Sequence, residues 1–381
     1  MYCLICSSPL TSGLVLDKMP SGAQAFSKSP DPAKKAQLSM SIYECSCCGT
    51  VQYTGPVVPY FKNVIRSAKF SEEMLRFRQI QFKKFLNSFD IRINSVFEFG
   101  AGEGEYLDIF KNLGCKTAGI ENSKDLASIC QEKGHDVVVG FLDEGEHQPL
   151  LQKKKYDAAI SFNFLEHVPN PKACLLRLTK LLRFDGVALL EVPNFELIEN
   201  KGLFNEFIPD HRFYFREETF RTLLNLSGFQ VHSMNSIWDD YILSAEVSKR
   251  TPIDWARYSA SRLELRLSIE AFFSDTNKAE NVVWSAGHQS LATISNLGLE
   301  KIIQCVIDSS SEKQKMFCPA SGLPVVKPEV LQSEKIKKVL LLAAGYNSEI
   351  LKKIRRDFPA KLIVAFVSQG KLIYDKDNPT S

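Results

Sequence analysis

The sequence predicts two successive α/β domains behind a small cysteine-rich module. Three observations support this prediction. The chain has 381 residues, which is too long for one compact core. From about residue 93, short apolar β-like runs alternate with longer amphipathic ones. Five of the ten cysteines fall within the first 48 residues. The predicted parts are a module at 1–58, a helical linker or lid at 59–92, and α/β domains at 93–250 and 251–381.

The front module contains two C-x2-C pairs, Cys3 with Cys6 and Cys45 with Cys48. Each pair offers two thiolates from one tight turn, and two such turns complete a tetrahedral Zn²⁺ site. Cys47 is the surplus thiol, because Cys45 and Cys48 keep the C-x2-C spacing. Four thiolates leave no open coordination position, so the zinc is expected to be structural.

Proline and glycine interrupt the stretch between the two pairs, which we therefore expect to be an irregular loop. The formal net charge of +3 and the ordinary charged fraction of 24% predict no nucleic-acid partner. The first residues lack the features of a signal peptide, and no apolar run approaches the roughly 20 residues of a membrane span. A cytoplasmic protein with no membrane partner is the expectation.

The first α/β domain is predicted from strands that alternate with helices, a pattern typical of a mostly parallel sheet covered on both faces. The predicted strands are Ser95–Phe99, Lys116–Ile120, Asp136–Val139, Ala158–Ser161, Val187–Val192, Gln230–Ser233 and Tyr241–Val247. The predicted helices are Tyr106–Asn112, Lys124–Lys133, Pro171–Leu182 and Glu217–Ser227. Ligands of such sheets bind at the carboxyl ends of the strands.

A glycine-rich loop follows the first strand of this domain, with Gly100, Gly102 and Gly104 in the spacing G-x-G-x-G. Such a loop permits a tight turn and close approach of a cofactor to the backbone and to a helix N-terminus. Glu121 ends the second strand, where a ribose with two hydroxyls needs an acceptor. A nicotinamide dehydrogenase is the alternative, but its usual G-x-G-x-x-G spacing is absent.

The segments EFGAGEGEY, GIENS, SFNFLEHVPNP and DGVALLEVPN resemble the ordered motifs of class I S-adenosylmethionine (SAM) methyltransferases over about residues 90–235. The resemblance implies a Rossmann-like methyltransferase core. It also implies that the three glycines line the methionine part of SAM and that Glu121 holds the ribose hydroxyls. The remaining cofactor positions that it implies are Phe141 and Leu142 at the adenine, Asn163, Leu165 and Glu166 as a wall, and Glu98, Ala101 and Asn122 beside the loop. A helix start without chemistry is the alternative for Glu166 and His167.

The whole chain is similar to a narrower group, the three-part sugar C-methyltransferases of deoxysugar pathways. In that group, a four-cysteine zinc module precedes the methyltransferase core, and a second Rossmann-like α/β domain follows it. The resemblance implies methylation of a carbon next to a keto group on a nucleotide-linked sugar. A base removes the α proton, and the enolate attacks the methyl sulfonium.

The expected base is His211, in the segment Pro209-Asp210-His211-Arg212-Phe213-Tyr214 after the fifth strand. The group pattern there is Glu-His followed by an aromatic pair, so Asp210 takes the place of the glutamate. A near-neutral imidazole held by a carboxylate suits α-proton removal at pH 7. Tyr214 is expected to donate to the developing enolate or to a sugar hydroxyl. Ile208 stands where the group commonly has a tyrosine, which puts the acceptor in doubt.

Three further residues, Tyr60, Arg66 and His167, are assigned to the acceptor. Tyr60 and Arg66 lie in a linker that mixes aromatic and basic side chains and fits a lid reaching sugar or phosphate oxygens. An amphipathic connection without a binding role is the alternative for this linker. A surface histidine before a helix is the alternative for His211.

The rear domain begins with a predicted helix at 256–273 and continues as a second strand–helix alternation. The resemblance implies that this domain helps to hold the nucleotide part of the sugar. The group's Trp-Gly-x-Gly is Trp284-Ser-Ala-Gly287 here, which weakens a phosphate cradle. Asp308 at a strand end either takes a hydroxyl pair or caps a helix. A purely structural or dimer-forming role of the domain is the alternative.

The leading hypothesis is therefore a SAM-dependent enzyme that methylates a small-molecule acceptor, acting as a monomer or a homodimer. Methylation of a hydroxyl oxygen on a sugar or another small molecule is the second hypothesis, because it needs the same cleft and a base. A non-catalytic zinc-bearing scaffold is a third, and the intact glycine loop and Glu121 argue against it.

Overall fold

The computed structural model describes residues 1–11, 13–22, 26, 28–58, 71–142 and 155–378. The chain divides into two compact units, Met1–Thr251 and Pro252–Ser381. Within the described residues, no helix is both long enough and apolar enough to cross a membrane.

Ten α-helices are found in the described part of the chain. They are α1 (Pro30–Lys35), α2 (Glu72–Leu86), α3 (Glu105–Asn112), α4 (Lys124–Glu132), α5 (Pro171–Leu181), α6 (Phe195–Lys201), α7 (Glu217–Leu226), α8 (Trp255–Phe272), α9 (His288–Leu297) and α10 (Asn347–Asp357). Short 3-10 helices span Phe204–Glu206, Lys278–Glu280, Leu299–Lys301, Pro328–Gln332 and Ala344–Tyr346.

The front of the first unit is an antiparallel sheet in the order β1-β2-β3-β9. Its strands are β1 (Leu14–Pro20), β2 (Gln37–Glu44), β3 (Val51–Tyr53) and β9 (Phe213–Tyr214). The expectation of an irregular loop between the cysteine pairs is therefore wrong for this stretch. Met40 and Ile42 of β2 are buried two residues apart, as expected for the inner face of a strand. Val51 pairs with Tyr214, which joins the front sheet to the segment carrying His211.

The central sheet of the first unit has the order β10-β11-β8-β7-β4-β5-β6 in the described chain. Its strands are β4 (Ser95–Phe99), β5 (Lys116–Glu121), β6 (Asp136–Val139), β7 (Tyr156–Phe162), β8 (Leu182–Pro193), β10 (Phe229–Ile237) and β11 (Ile242–Lys249). Strands β4 to β8 of this sheet run parallel, and β11 is antiparallel to both of its neighbours. The chain leaves β4 for β5 on one side and later returns to β7 on the other. The carboxyl ends of β4, β5 and β7 therefore frame the crevice where such sheets bind ligands.

Apolar side chains fill both faces of the central sheet. Phe82 and Phe85 of α2 pack on one face with Phe110 of α3 and Ile160 of β7, and all four are essentially inaccessible to water. The other face packs against α5 and α7, through Leu178 among others. Because residues on both sides of β7 are buried, this strand reads as a continuous apolar run, as expected for a parallel sheet.

The second unit contains a sheet in the order β14-β13-β12-β15-β16-β17. Its strands are β12 (Asn281–Trp284), β13 (Cys305–Ile307), β14 (Val325–Val326), β15 (Lys338–Leu341), β16 (Ile363–Ser368) and β17 (Lys371–Tyr374). The first five are parallel, and β17 is antiparallel to β16. The chain reverses direction across the sheet between β12 and β15, so this unit is a second Rossmann-like α/β fold with its own switch point.

Candidate active site

The loop after β4 is built around glycines in the left-handed region. Gly100 has φ of 79° and Gly102 has φ of 55°. The backbone N–H groups of Gly100 and Ala101 donate to the carbonyl oxygen of Ile120, at 3.0 and 3.1 Å, which fixes the loop against the end of β5. A Cβ atom on Gly100 would lie 3.0 Å from the ring of Phe164. The loop thus needs glycine at this position for both its backbone angle and its packing.

Glu121 lies directly opposite this loop. Its Oε2 accepts a hydrogen bond from the N–H of Gly102 at 2.8 Å, and its Oε1 accepts one from the N–H of Ser123 at 2.9 Å. A carboxylate has about four acceptor positions, so about two remain for hydroxyl donors. The partly exposed Glu121 therefore fits the vicinal ribose hydroxyls of SAM, the role that the sequence resemblance implies.

An aromatic cluster borders the loop. The ring of Phe164 lies 4.8 Å from that of Phe99 and 5.9 Å from that of Phe141, measured between centroids. Phe141 and Leu142, which are expected to border adenine, are 4% and 5% exposed. Residues 143–154, which follow them, lie outside the described residues.

Asn163 follows β7 with φ of 46°, an uncommon angle for a residue with a side chain. Its N–H donates to the carbonyl oxygen of Glu191 at 3.0 Å. The Glu191 carboxylate forms a buried ion pair with Arg78 of α2, with an Nη1–Oε2 distance of 2.6 Å. The Arg78 guanidinium also lies over the ring of Phe162, 4.9 Å from its centroid. Helix α2 is thereby fastened beside the strained end of β7.

Several residues that the resemblance assigns to the cofactor also have packing roles. Ala101 and Leu165 are essentially inaccessible to water within apolar clusters. A Cβ atom on Gly104 would lie 3.0 Å from the His135 ring, which explains a glycine there without any ligand. Glu98 is buried within β4, and Asn122 lies between Glu121 and Ser123. Contact of these five residues with SAM remains a prediction.

Two histidines, His167 and His211, lie beyond the carboxyl end of β7. His211 is two residues before β9 of the front sheet. The His167 Nδ1–H donates to the carbonyl oxygen of Asp210 at 2.9 Å, which leaves the lone pair on Nε2. The His167 and His211 rings are 4.7 Å apart between centroids, edge to face. Burial lowers the pKa of His167 to about 4. Burial, and secondly the nearby His167, lower the pKa of His211 well below its usual value. Both imidazoles are therefore neutral at pH 7, but their lowered pKa values make them weaker bases than the near-neutral imidazole that the sequence predicts.

Glu166 lies beside these histidines and is 1% exposed. Its Oε1 is 3.7 Å from Nε2 of His167. Among the described residues, neither carboxyl oxygen of Glu166 has a hydrogen-bond partner. Burial raises the pKa of Glu166 to about 8.

The two other predicted catalytic residues are held by the local backbone. The hydroxyl of buried Tyr214 donates to the carbonyl oxygen of Ile208 at 3.0 Å and accepts from the Ile208 N–H at 2.9 Å. Donation to an acceptor, as expected from the sequence, would require Tyr214 to release that carbonyl. The Asp210 side chain is 3% exposed, and the contact that reaches His167 is its main-chain carbonyl. Tyr60 and Arg66, assigned to the acceptor, lie outside the described residues.

The four cysteines predicted to bind zinc come together. The Sγ atoms of Cys3, Cys6, Cys45 and Cys48 all lie within 4.8 Å of one another. Cys3 and Cys48 are 3.7 Å apart, and Cys6 and Cys45 are 3.4 Å apart, between sulfur atoms. Tetrahedral bonds of about 2.3 Å to Zn²⁺ imply similar sulfur separations. Cys47 is exposed and outside this group, as the spacing predicts.

Sequence reasoning missed Phe164 and the Arg78–Glu191 pair. Phe164 stands between Asn163 and Leu165, which the sequence analysis singled out, and this position was its only signal in the sequence. Arg78 and Glu191 are 113 residues apart in the chain, and no local pattern predicts their contact. The tertiary structure alone brings them together.

Comparison with known proteins gives two family matches. Residues 66–234 match a family described as a methyltransferase domain, and residues 244–366 match one described as a C-methyltransferase C-terminal domain. The chain is also 23% identical over 295 residues to the C-methyltransferase NovU of Streptomyces niveus, covering 67% of this chain and 68% of that protein.

The solved structures that this chain resembles include two methyltransferases. A SAM-dependent methyltransferase of Thermotoga maritima is 17% identical, with a TM-score of 0.37, and covers 46% of this chain and 90% of its own. The plantazolicin methyltransferase BpumL, solved with SAH, is 14% identical, with a TM-score of 0.36, and covers 46% of this chain and 84% of its own.

The two family matches run in the order that the sequence motifs predict. The chain is a SAM-dependent methyltransferase whose methyltransferase domain is followed by a match to a C-methyltransferase C-terminal domain.

Proposed function

We propose that this methyltransferase acts on a nucleotide-linked deoxysugar and methylates a carbon next to a keto group through an enolate. The observation that carries the proposal is the pair of neutral imidazoles, His167 and His211, held 4.7 Å apart between ring centroids. A neutral imidazole has an unprotonated ring nitrogen, so it is available to take an α proton at pH 7 even though burial lowers its pKa. The match to a C-methyltransferase C-terminal domain supports carbon as the methylated atom.

When bound, SAM supplies an electrophilic methyl group. The residues that would hold it are the glycine loop at Gly100 and Gly102, and the Glu121 carboxylate, whose remaining acceptor positions would bind the ribose hydroxyls. His211, which is only partly exposed, would take the α proton, and His167 would hold the acceptor beside it. Tyr60 and Arg66 would cover the acceptor. The second unit has a cavity of about 460 Å³ at its own switch point, a size that would fit a nucleotide.

The experiment is mass spectrometry of nucleotide-linked keto- and hydroxysugars incubated in heavy water with and without SAM. We expect deuterium to enter the carbon next to the ketone, followed by methyl gain at that carbon. Methyl gain on oxygen without deuterium uptake would instead support the second candidate, O-methylation, for which the same neutral imidazoles could deprotonate a hydroxyl. His211→Ala is expected to bind SAM normally and to lose both exchange and transfer. Retained turnover would remove His211 from the mechanism.

We also propose that the four-cysteine cluster holds one structural Zn²⁺, which stabilises a front module too small to fold on its own core. Metal analysis of the purified protein should give one zinc per chain. Cys48→Ser should lose that zinc and lower the thermal stability, because one of four thiolates is removed. Cys47→Ser is the matched control and should keep the zinc, since its exposed side chain lies outside the cluster. Equal zinc loss in both variants would contradict the assignment.

A further inference from the structure

Glu166 is buried where a carboxylate would be costly. It is 1% exposed, and no described residue forms a hydrogen bond with either carboxyl oxygen. An ionised carboxyl in such a position loses its hydration without compensation. Burial raises the pKa of Glu166 to about 8, so the neutral acid prevails at pH 7. A neutral carboxyl is a hydrogen-bond donor, and no described residue accepts that hydrogen bond from Glu166.

The two imidazoles next to Glu166 are shifted in the opposite direction. Burial lowers the pKa values of His167 and His211, so both rings are neutral when Glu166 is also neutral. The carboxyl oxygen and the two ring nitrogens all lie within 4.8 Å of one another. One small site therefore contains an acid that keeps its proton and bases that lack one. Paired groups with pKa values driven apart by their environments are typical of acid–base assignments in enzymes.

The other charged and titratable groups around Glu166 do not supply a partner for a carboxylate. The Arg212 N–H donates to the main-chain carbonyl of Glu166, but its guanidinium donates to Gly55. The Tyr241 hydroxyl donates to Glu206 at 2.7 Å, and the charge of Glu166 would raise the pKa of Tyr241 further. Asp210 adds a buried acidic side chain on the segment that carries His211. None of these groups donates a hydrogen bond to a carboxyl oxygen of Glu166.

We propose that Glu166 is a catalytic residue that stays protonated and donates a hydrogen bond to the acceptor's ketone oxygen as the enolate forms. This inference rests on the proposed enolate chemistry. The C–H bond next to the ketone breaks, its proton moves to His211, and its electron pair shifts toward the oxygen held by Glu166. The carbon would then take the methyl group as the bond from that methyl to the SAM sulfur breaks and SAH leaves. The carbonyl bond would form again, and the proton on His211 would leave to solvent. Glu166 ends the cycle with its own proton.

Glu166 would act on the ketone oxygen of the acceptor, and His211 would act on the carbon beside it. A donor aimed at the oxygen stabilises the charge that develops there, and removing one such donor typically costs about 10² to 10³ in rate. His211 addresses the carbon beside the ketone. An acceptor with only a hydroxyl would gain nothing from a protonated carboxyl at this place, so Glu166 would favour keto acceptors.

The test measures α-proton exchange in heavy water against pH, with a keto-sugar nucleotide, for wild type, Glu166→Gln and Glu166→Ala. Wild-type exchange should fall as the pH rises through about 8, because the donor then ionises. Glu166→Gln keeps an N–H donor that does not titrate, so it should retain part of the exchange and lose this alkaline fall. Glu166→Ala should lose about 10² to 10³ in exchange rate at pH 7. SAM affinity, measured by calorimetry, should be unchanged in both variants.

An unchanged alkaline fall in Glu166→Gln, or wild-type exchange in Glu166→Ala, would overturn the inference. A loss of SAM affinity equal to the loss of exchange would do so too, since Glu166 would then be a wall of the cofactor site. Infrared difference spectra at pH 7 give an outcome that needs no acceptor. A protonated-carboxyl band present in wild type and in His211→Ala, but absent from Glu166→Gln, supports a neutral Glu166, and its absence from wild type overturns it. A wild-type enzyme with that band but no exchange on keto sugars would refute the proposed function instead, and with it the catalytic role.

Discussion

Glu121 of the first unit and Asp308 of the second occupy equivalent positions in two sheets whose strands are mostly parallel. Each ends or follows the strand next to the first strand of its fold. Glu121 accepts hydrogen bonds from Gly102 at 2.8 Å and from Ser123 at 2.9 Å. Asp308 accepts them from Ala286 and from Ser310, both at 2.9 Å. In both units, a carboxylate fastens the loop after the first strand to the residue two positions beyond itself.

The two carboxylates differ in how many acceptor positions remain unused. Lys313 donates to Asp308 Oδ2 and to the Ala286 carbonyl, both at 3.2 Å, so a cation already neutralises the carboxylate. The loop of the second unit also lacks the left-handed glycines, since Gly287 has φ of −86°. Fastening of the loop by a carboxylate is therefore a structural feature that both units share. Binding a cofactor needs, in addition, unused acceptor positions and a backbone that can approach the ligand closely.

The largest effect is expected from removing the first carboxylate. Glu121→Ala should weaken SAM binding by one or two orders of magnitude, about 1.4 to 2.8 kcal/mol, because a charge-assisted hydrogen-bond pair is lost. Isothermal calorimetry measures the change. Asp308→Ala is the matched control and should leave SAM affinity as in wild type. Equal losses in the two variants would mean that Glu121 acts only by fastening its loop.

The second prediction concerns pH, because one acid in each unit has a shifted pKa and the two shifts have opposite signs. Burial raises the pKa of Glu166, so its contribution to stability is lost as the pH rises toward about 8. For Asp308, burial acts to raise the pKa, but the Ser310 and Ala286 N–H groups and Lys313 outweigh it and lower the value. That contribution is present above the ordinary value of about 3.8 and is lost as the pH falls.

Hydrogen–deuterium exchange of peptides from each unit can separate the two signs. Between pH 6.5 and 8, the free energy of opening of the first unit should fall by at most about 1.4 kcal/mol per pH unit from this one group. Glu166→Gln should abolish that dependence, whereas the second unit should keep a flat profile in both proteins. A pH slope that survives in Glu166→Gln would assign the titration to another group.

Local patterns predicted most of the elements that frame the site. Strand β4 has the predicted bounds, Ser95–Phe99, because apolar runs between turn signals report burial directly. The glycine loop and Glu121 were found from spacing, and the structure brings them into contact. Strand β2 was missed, because its alternating burial is short and lies among prolines and polar residues. The hydrogen bonds that occupy Tyr214 are made with Ile208, six residues away, through a local turn that no spacing motif defines. The isolation of Glu166 depends on how distant segments pack around it, so spacing in the sequence could not reveal it.

A third prediction compares glycines of the two loops. Gly100→Ala should lower SAM affinity about tenfold, because φ of 79° costs a side chain roughly 1 to 2 kcal/mol and the new Cβ meets the Phe164 ring at 3.0 Å. Gly287→Ala should be tolerated, since its φ of −86° suits alanine and its Cβ would approach only the Ser285 hydroxyl, at 3.1 Å. Calorimetry gives the affinity, and thermal unfolding gives the stability of each variant. A destabilised Gly287→Ala with normal Gly100→Ala would reverse the comparison.

The smallest effect is expected from releasing the second carboxylate. Lys313→Met keeps most of the side-chain stem but removes the ammonium that bridges Asp308 and the Ala286 carbonyl. Because the Lys313 side chain is 47% exposed, solvent screens the pair, and the loss should be about 0.5 kcal/mol. Exchange of the Ala286 and Ser310 amides should accelerate only slightly, since Asp308 still accepts from both. Lys301→Met, on the same unit, is the control and should leave these amides unchanged. Full loss of protection at Ala286 would show that the cation, rather than the carboxylate, fastens this loop.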